Sequence, residues 1–558
     1  MAAIDLYSGI GGWTLGFKMA GIPVKASYEW WKDANDTHNK NFGSEHSETD
    51  IRALLLTDLP DKKGIDFVVG SPPCTQFSLA NRGGKGDIKD GMIDIIKFLE
   101  VVKHIQPKYW AMENVPRVAK IIEKELKGKG KLVRFKDLFE GGDIRVYNSS
   151  DFGVPQDRKR MIAGRFPFDL MDQYAKMTKR TTLGDVIKAL SHGPYVDPLY
   201  DIQLNEEMLT DHIREPNLSW EEARINQDAK VHHPVYNLMS FPDKQDRPSR
   251  TVTALCTRVS RESIVIRDLK GNLRRLTVRE RACLQSFPIS YQLFGKTYPN
   301  KIKMVGNAVP PLLTFYIAQS MLEIPVEKLL APKDVPKERL KLSEEMATSH
   351  TPDNEGSKYP WNRSFWLAIK ELRFGSGVRF ELKNHHDKEK MTTTWRIGFF
   401  YGTSKDIKKK ELDHELLVKA LQITGIDQNA TFAGLFNDLG EFIHSVNEQE
   451  LQQNWTNADR KKMSPIDLID KLTVHVGKLK AFFKNNDSEL AHTIRGFIKE
   501  EFQIEKENIE NDGKVKKPKR NKLIEKNVDI FIGVLVGTYF NLTMSGEIFK
   551  LRRTKARA

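Results

Sequence analysis

Over the first 165 residues, short unbroken apolar runs alternate with stretches whose apolar positions recur every three or four residues. The runs at 3–7, 24–28, 66–70, 109–112 and 161–164 have the length and continuity of strands covered on both faces. The stretches 13–20 and 92–104 carry apolar residues at helical spacing. This alternation predicts an α/β core, an open and mostly parallel sheet with helices on both faces. From 166 to 273 it stops, and His, Pro, Arg and Thr follow in irregular order, which predicts a smaller inserted domain. Helical spacing returns at 277–285 and after Pro311, so 274–325 reads as a return to the first domain. Pro332, Pro336, Pro352 and a polar cluster mark 326–358 as a linker. Residues 359–558 then form a separate domain, mostly helical or α+β. Its clearest helix is capped by Ser464, opens at Pro465 and gathers Leu468, Ile469, Leu472, Val476, Leu479 and Phe483 on one face.

Composition narrows the function classes. A hydrophobic fraction of 39% with nine Trp describes a folded chain, and the net charge of +14 points to a polyanionic partner or to a well-solvated surface. Three cysteines (Cys74, Cys256, Cys283) cannot build a disulfide framework, and with no CxxC pair no metal site is expected. A reducing cytoplasm is the expected compartment. The N-terminus enters a strand-like run at once, leaving no room for a signal peptide, and the apolar stretch 530–540 is too short to span a bilayer. No membrane association is expected.

Four constellations carry candidate chemistry. In Asp5-Leu6-Tyr7-Ser8-Gly9-Ile10-Gly11-Gly12 a strand runs through a glycine turn into a helix, and Glu29 follows about twenty positions on. Such a turn lets a nucleotide-like ligand approach the backbone, with an acid for its ribose, although a bare structural turn has the same look. The spacing also departs from the dinucleotide fingerprint. Ser71-Pro72-Pro73-Cys74 follows the strand ending at Gly70. Loops at the carboxyl ends of parallel strands hold sites, and paired prolines present the thiol rigidly; the polar, Gly-rich sequel argues against a buried packing cysteine. Glu113-Asn114-Val115 ends the next strand, so Glu113 stands at the same sheet edge, either to meet a ligand or to cap the helix that follows. Gln156-Asp157-Arg158-Lys159-Arg160 sets Arg158 and Arg160 on one side of a strand, which also fits a solvated charge run.

Together with the segments Arg274-Arg275-Leu276-Thr277-Val278-Arg279-Glu280-Arg281, Leu284-Gln285-Ser286-Phe287-Pro288 and Val305-Gly306-Asn307-Ala308-Val309-Pro310, the order of blocks over residues 1 to about 323 resembles the cytosine-C5 DNA methyltransferases of prokaryotic modification systems. The resemblance implies a Rossmann-like, S-adenosylmethionine-dependent methyltransferase domain with an inserted target-recognition domain. It implies double-stranded DNA as partner and a base flipped from the helix. Cys74 would attack C6 of that cytosine, Glu113 would hold N3 and the amino group, Arg160 would contact O2, and Arg158 would support cysteine and base. The same comparison assigns Tyr7, Gly9, Ile10, Gly11 and Gly12 to the methionine end of S-adenosylmethionine, Glu29 to its ribose, and Trp30, Asp50, Ile51 and Pro72 to its adenine. Asn307 and Val309 would close that pocket. Tyr7 stands where the family usually has phenylalanine. Ser78 and Arg82 would belong to a mobile loop over DNA, and Arg250, Thr251 and Thr253 to the recognition segment. Cys256 and Cys283 match no block and read as packing residues.

Three readings compete with this one: an RNA cytosine-C5 methyltransferase on the same fold, an amino-directed DNA methyltransferase, and an inactive DNA-binding or scaffold subunit. An aromatic residue stands in the amino-directed enzymes where this chain has Cys74. The C-terminal domain lies outside the resemblance. Trp361, Trp366, Arg363, Arg373, Trp395 and Arg396 mix aromatic and basic side chains there, and a basic run surrounds 514–522. This domain is expected to add DNA affinity or to dock a protein partner.

Overall fold

The computed structural model describes residues 1–77, 86–231, 239–352, 359–374, 378–403, 406–457, 462–484, 488–502 and 526–546. They fall into two compact units, Met1–Ala223 with Ser240–Asp353, and Arg224–Met239 with Asn354–Ala558.

The first unit opens with β1 (Ala3–Leu6), α1 (Gly12–Ala20), β2 (Val24–Tyr28), α2 (Lys32–Phe42), β3 (Phe67–Gly70), α3 (Ile88–Ile105), β4 (Tyr109–Asn114), α4 (Arg117–Glu125), β5 (Asp143–Asn148) and β6 (Lys159–Arg165). These strands form one sheet in the order β2-β1-β3-β4-β6-β5. The first four run parallel, whereas β6 is antiparallel to β4 and to β5. Successive strand residues point to opposite faces, and both faces are covered. Ala3, Phe67, Val69, Ala111 and Ile162 pack with Trp13 and Phe17 on one side. Ile4, Leu6, Val68, Met112 and Met161 pack with Ile95, Phe98 and Leu99 on the other. That two-sided burial is why the strands read as unbroken apolar runs. The result is a Rossmann-like sheet with two antiparallel strands at one edge.

Three elements escape the hydrophobic pattern. The sequence of β5, DIRVYN, is polar and mostly half-exposed. Helix α2 is built from KDANDTHNKNF, which has hardly an apolar position. Helix α3 starts at Ile88, ahead of its apolar stripe, because the Asp87 side chain caps the amides of Lys89 and Asp90.

The inserted segment does not form a compact unit of its own. Helices Phe168–Met177 and Leu183–Ala189 bury Phe168, Met171, Tyr174, Leu183 and Val186 in the same cluster as Trp13 and Phe17. Irregular sequence here reflects irregular backbone over a shared core. The insert's residues from Arg224 to Met239 belong to the second unit, where Ile225 joins the core and Arg224 pairs with Asp470 at 2.6 Å. The chain returns through helices Val278–Leu284, Tyr298–Asn307 and Pro311–Met321. The last lies against α1 so closely that a Cβ at Gly16 would stand 2.1 Å from Thr314 Oγ1.

The expected linker also belongs mostly to the first unit. Val335 and Leu340 are buried in its core, Arg339 donates to the Met19 carbonyl at 3.1 Å, and Lys301 donates to the Thr348 carbonyl at 2.6 Å. Its prolines mark irregular backbone fastened to the surface, not a free tether.

The second unit is built on a four-stranded antiparallel sheet, Trp366–Phe374, Val378–Asp387, Thr392–Thr403 and Asp406–Lys410 in chain order, against which helices Pro465–Lys484 and Asn527–Met544 pack. Helix Asn527–Met544 has the length and apolarity to cross a membrane, but Ile530, Phe531, Val534, Leu535 and Phe540 are buried in this unit's core. Helix Pro465–Lys484 buries Leu468, Ile469, Leu472, Val476, Leu479 and Phe483 and is closed at its start by reciprocal bonds between Ser464 and Asp467.

Candidate active site

The loop after β3 is built to hold one thiol. Gly70 admits no side chain, since a Cβ there would meet the Leu6 carbonyl oxygen at 2.3 Å. The Ser71 amide donates to that carbonyl at 3.1 Å, and the Trp13 indole donates to Ser71 Oγ at 3.0 Å. Beyond them, the Asn114 side-chain amide at the end of β4 donates to the Pro72 carbonyl at 3.0 Å. Cys74, half-buried, thus starts a turn whose backbone is anchored on two strands and α1.

Its neighbours are Glu113, Arg158 and Arg160. The Arg160 guanidinium donates from Nε to Glu113 Oε1 at 2.8 Å, both groups being largely buried. Burial pushes the Cys74 thiol above its ordinary pKa and the Glu113 carboxylate adds to the rise, while Arg160 and Arg158 oppose it. Arg158 is buried, with Nη1 donating to the Val252 carbonyl at 3.1 Å and Nη2 to the carbonyls of Gly306 at 3.1 Å and Ala308 at 3.0 Å. Its Nε is buried without a partner. Burial first, then Arg160, lower the Arg158 pKa to about 9. So Arg158 fastens three segments while its charge acts on the thiol.

On the other side of β1 lies the glycine turn. Gly9 (φ +54°) has open space where a Cβ would stand, so a ligand can reach the backbone there. Gly12 is closed instead: a Cβ would meet the Val309 carbonyl oxygen at 2.2 Å. That contact joins the first and last blocks of the unit, with Ile10 buried beneath and Asn307 exposed at the rim. Glu29 accepts from the amides of Gly9 at 2.9 Å and Trp31 at 2.7 Å, and burial raises its pKa. Trp30 is 65% exposed, so it does not serve the core; Trp31 packs against the core instead. Ile51 and Pro72 are buried, Asp50 is exposed, and the Tyr7 hydroxyl donates to the Asp94 carbonyl at 3.2 Å. An open glycine backbone, a buried carboxylate and an exposed indole thus surround one turn.

Ser78 and Arg82 lie outside the described residues. Thr251 and Thr253 are exposed or half-exposed, their hydroxyls donating to the carbonyls of Asp157 at 2.7 Å and Leu255 at 2.9 Å. Arg250 is half-buried and held within the fold. Its guanidinium grips both oxygens of Asp243 at 2.5 and 3.0 Å and donates to the carbonyls of Arg261 and Ser263. Cys256 is more than packing: burial raises its pKa, but Arg281, which donates to Sγ at 2.9 Å, and Arg275 outweigh that and leave it low. Cys283 is buried in the core.

Asn114, Gln156 and Asp5 were not singled out by sequence reasoning. Gln156 accepts from the Val252 amide at 2.8 Å and donates to the Leu284 carbonyl at 3.1 Å and Gln285 Oε1 at 3.0 Å. It locks the segment at Val252 to the end of the helix Val278–Leu284 beside Arg158. Both Asn114 and Gln156 sit inside blocks that had been recognised, which was the available signal. Replacing Asn114 by Ala should release the Pro72 carbonyl and let Cys74 wander. Turnover is then expected to fall about 100-fold, the scale of a 1 Å misplacement, with cofactor affinity retained in equilibrium binding.

Asp5 lies under the turn, fully buried, accepting from Thr14 Oγ1 at 2.8 Å while its other oxygen has no partner. Thr14 in turn meets His38 Nε2 at 3.0 Å. Burial raises the Asp5 pKa from 3.8 to about 8, so the folded state holds a proton that the unfolded chain releases. The stability this group allows is present in full below its unfolded pKa and is lost as pH rises towards about 8. Asp5→Asn should therefore melt progressively higher than the parent as pH rises from about 4 to about 8, read from paired thermal melts.

The sequence profile of the family described as C-5 cytosine-specific DNA methylase matches residues 1–323. Among curated proteins the chain is similar to the type II methyltransferase M1.HphI of Haemophilus parahaemolyticus, 32% identical over 336 residues, covering 58% of this chain and 86% of that one. It is also similar to the type II methyltransferase M.HindV of Haemophilus influenzae, 29% identical, covering 59% of this chain and 99% of the relative. Among solved structures, the S. pombe Dnmt2 methyltransferase is 18% identical with a TM-score of 0.40, covering 58% of this chain and 98% of that one.

Proposed function

Since the chain belongs to the C-5 cytosine-specific DNA methylases and is a DNA cytosine-5-methyltransferase, we propose that it methylates C5 of a cytosine flipped out of the duplex, through a transient bond between Cys74 Sγ and C6. The observation that carries this reading is the grouping of one anchored thiol with a buried carboxylate–guanidinium pair, Glu113 with Arg160, at the carboxyl end of β3 and β4. S-adenosylmethionine supplies the electrophilic methyl group, held by the glycine turn with Glu29 and Trp30.

The residues divide the work as follows. Turning the base out costs a few kcal/mol and exposes C6 to Cys74. Glu113 hydrogen-bonds N3 and the amino group, and Arg160 contacts O2, so electron density leaves C6. As Sγ bonds C6, the proton leaving the Cys74 thiol passes by way of Glu113 to N3, and the C5–C6 π pair moves to C5. C5 takes the methyl group as the donor's C–S bond breaks and leaves a neutral thioether; the C5 proton then passes to solvent, which restores the ring and expels the Cys74 thiolate, and N3 returns its proton through Glu113. Arg158 keeps the segments 252, 306 and 308 closed around these groups.

Similarity to type II methyltransferases supports a modification role in which the enzyme marks self DNA at one recurring sequence. Bisulfite sequencing of DNA from cells expressing the chain tests this. Protected cytosines in a single sequence context are expected, absent with Cys74→Ala; identical maps from both proteins would defeat it.

A further inference from the structure

The sheet in the second unit lies beyond residue 323, where the family match ends. Ile369, Phe380, Leu382, Trp395, Ile397 and Phe399 point from that sheet into the core, against helices that include Asn527–Met544. Alternation sends the intervening residues to the opposite face. There Trp366, Lys383 and Arg396 form one row across three strands, since Trp366 pairs with Lys383 and Lys383 with Arg396. Along the same face, Arg379, Phe400 and Lys409 form a second row. The structure thereby sorts the aromatic and basic residues that the sequence left mixed. Trp395 is core, and the Arg363 guanidinium lies between the rings of Tyr359 and Trp455, but Trp366 is 62% exposed and Arg396 is exposed.

What sets Trp366 apart from other exposed apolar side chains is its company of cations and a second ring. The Lys383 ammonium stands 4.3 Å from the Trp366 ring centre and 4.2 Å from that of Phe400. Phe400 leans over Gly398, where a Cβ would come within 3.0 Å of its Cε2. Two rings therefore flank one cation at the Trp366 end of this face; towards the other end the face is covered, with Arg379 and Glu381 buried and Arg373 donating to the Asp228 carbonyl. His385 beside them feels Lys409, Arg396 and Lys383 together, which adds to burial in lowering its pKa; the cations thus share one field. Glu381 offsets part of this charge through Arg379 and Lys383, and Glu411 lies 3.9 Å from Lys409. Lysines on the edge strand Asp406–Lys410 also deter strand pairing. The argument therefore rests on the inner strands.

Rings that accept base faces, with a cation between them for the phosphate, are the elements of single-strand recognition. A duplex keeps its base faces stacked and offers such rings nothing. We propose that the outward face of this sheet, centred on Trp366, Lys383, Arg396 and Phe400, binds single-stranded DNA by base stacking and phosphate contact. The proposal is independent of the chemistry at Cys74.

Fluorescence anisotropy of the full-length protein with a labelled oligo-dT strand tests it, because that probe contains no cytosine. Trp366→Ala and the double variant Trp366→Ala/Phe400→Ala should weaken binding by about ten-fold or more for each ring removed. Arg396→Glu should weaken it comparably and flatten its salt dependence. All three should still methylate duplex DNA. Trp366→Ala and Arg396→Glu alter exposed side chains, so they keep the test open if the double variant fails to fold. Unchanged oligo-dT affinity in both would overturn the proposal. So would an equal loss with an oligo-dA/oligo-dT duplex, which would mean phosphate contact alone, or tighter binding of oligo-rU, which would assign the face to RNA.

Discussion

Cys74→Ala should lower methyl transfer to duplex DNA by roughly 10⁴-fold or more, while binding of S-adenosylmethionine stays nearly unchanged. The split follows from the separation of the two half-sites. The thiol belongs to the loop fastened by Asn114 and Ser71, whereas the glycine turn is shaped by Glu29, Val309 and its own backbone. A lost nucleophile leaves no alternative route to a nucleophilic C5, so the effect falls on turnover and not on cofactor affinity. Ordinary turnover in the variant, with radiolabelled cofactor and matched duplex, would contradict the assignment of Cys74.

Glu113→Gln is expected to act twice. Transfer should fall about 10²- to 10⁴-fold, the range for losing a positioned proton donor. The free enzyme should meanwhile acquire a more acidic Cys74, because Glu113 is the nearby anion that adds to burial in raising the thiol. The sign is fixed: removing a negative charge favours the thiolate and lowers the pKa. Alkylation of Cys74 followed by peptide mass spectrometry against pH should shift to lower pH in Glu113→Gln. In Arg160→Gln it should shift to higher pH, since Arg160 opposes the rise. A Glu113→Gln variant that loses transfer with an unchanged alkylation profile would make Glu113 a base-holding residue without influence on the thiol.

The sheet and the loops that end its strands were legible in the sequence because their demands are local. Strands buried on two faces must be apolar throughout, as at 67–69, and a turn with positive φ at Gly9 and Gly11 needs glycine. The elements that were missed lack such demands. Strand β5 lies at the edge of the sheet and is polar, and α2 buries polar side chains such as Asn35, Thr37, His38 and Asn41, so neither writes a hydrophobic period. Contacts distant in sequence were equally invisible. Arg250 carries the charge expected of a DNA contact but meets Asp243 and two carbonyls in the fold. Asn114 reaches Pro72 and Gln156 reaches Gln285 across stretches that no local pattern spans. Likewise, Trp366 and Trp395 look alike until strand register sends one to solvent and the other to the core.

The most direct measurement is intact-protein and peptide mass spectrometry after incubation with S-adenosylmethionine and a duplex carrying 5-fluorocytosine at the methylated position. Fluorine at C5 cannot leave as a proton does, so the chain should be caught with the modified base bonded to Cys74, and Cys74→Ala should yield no adduct. An unmodified Cys74 peptide, in a preparation that still methylates ordinary cytosine, would contradict the covalent mechanism.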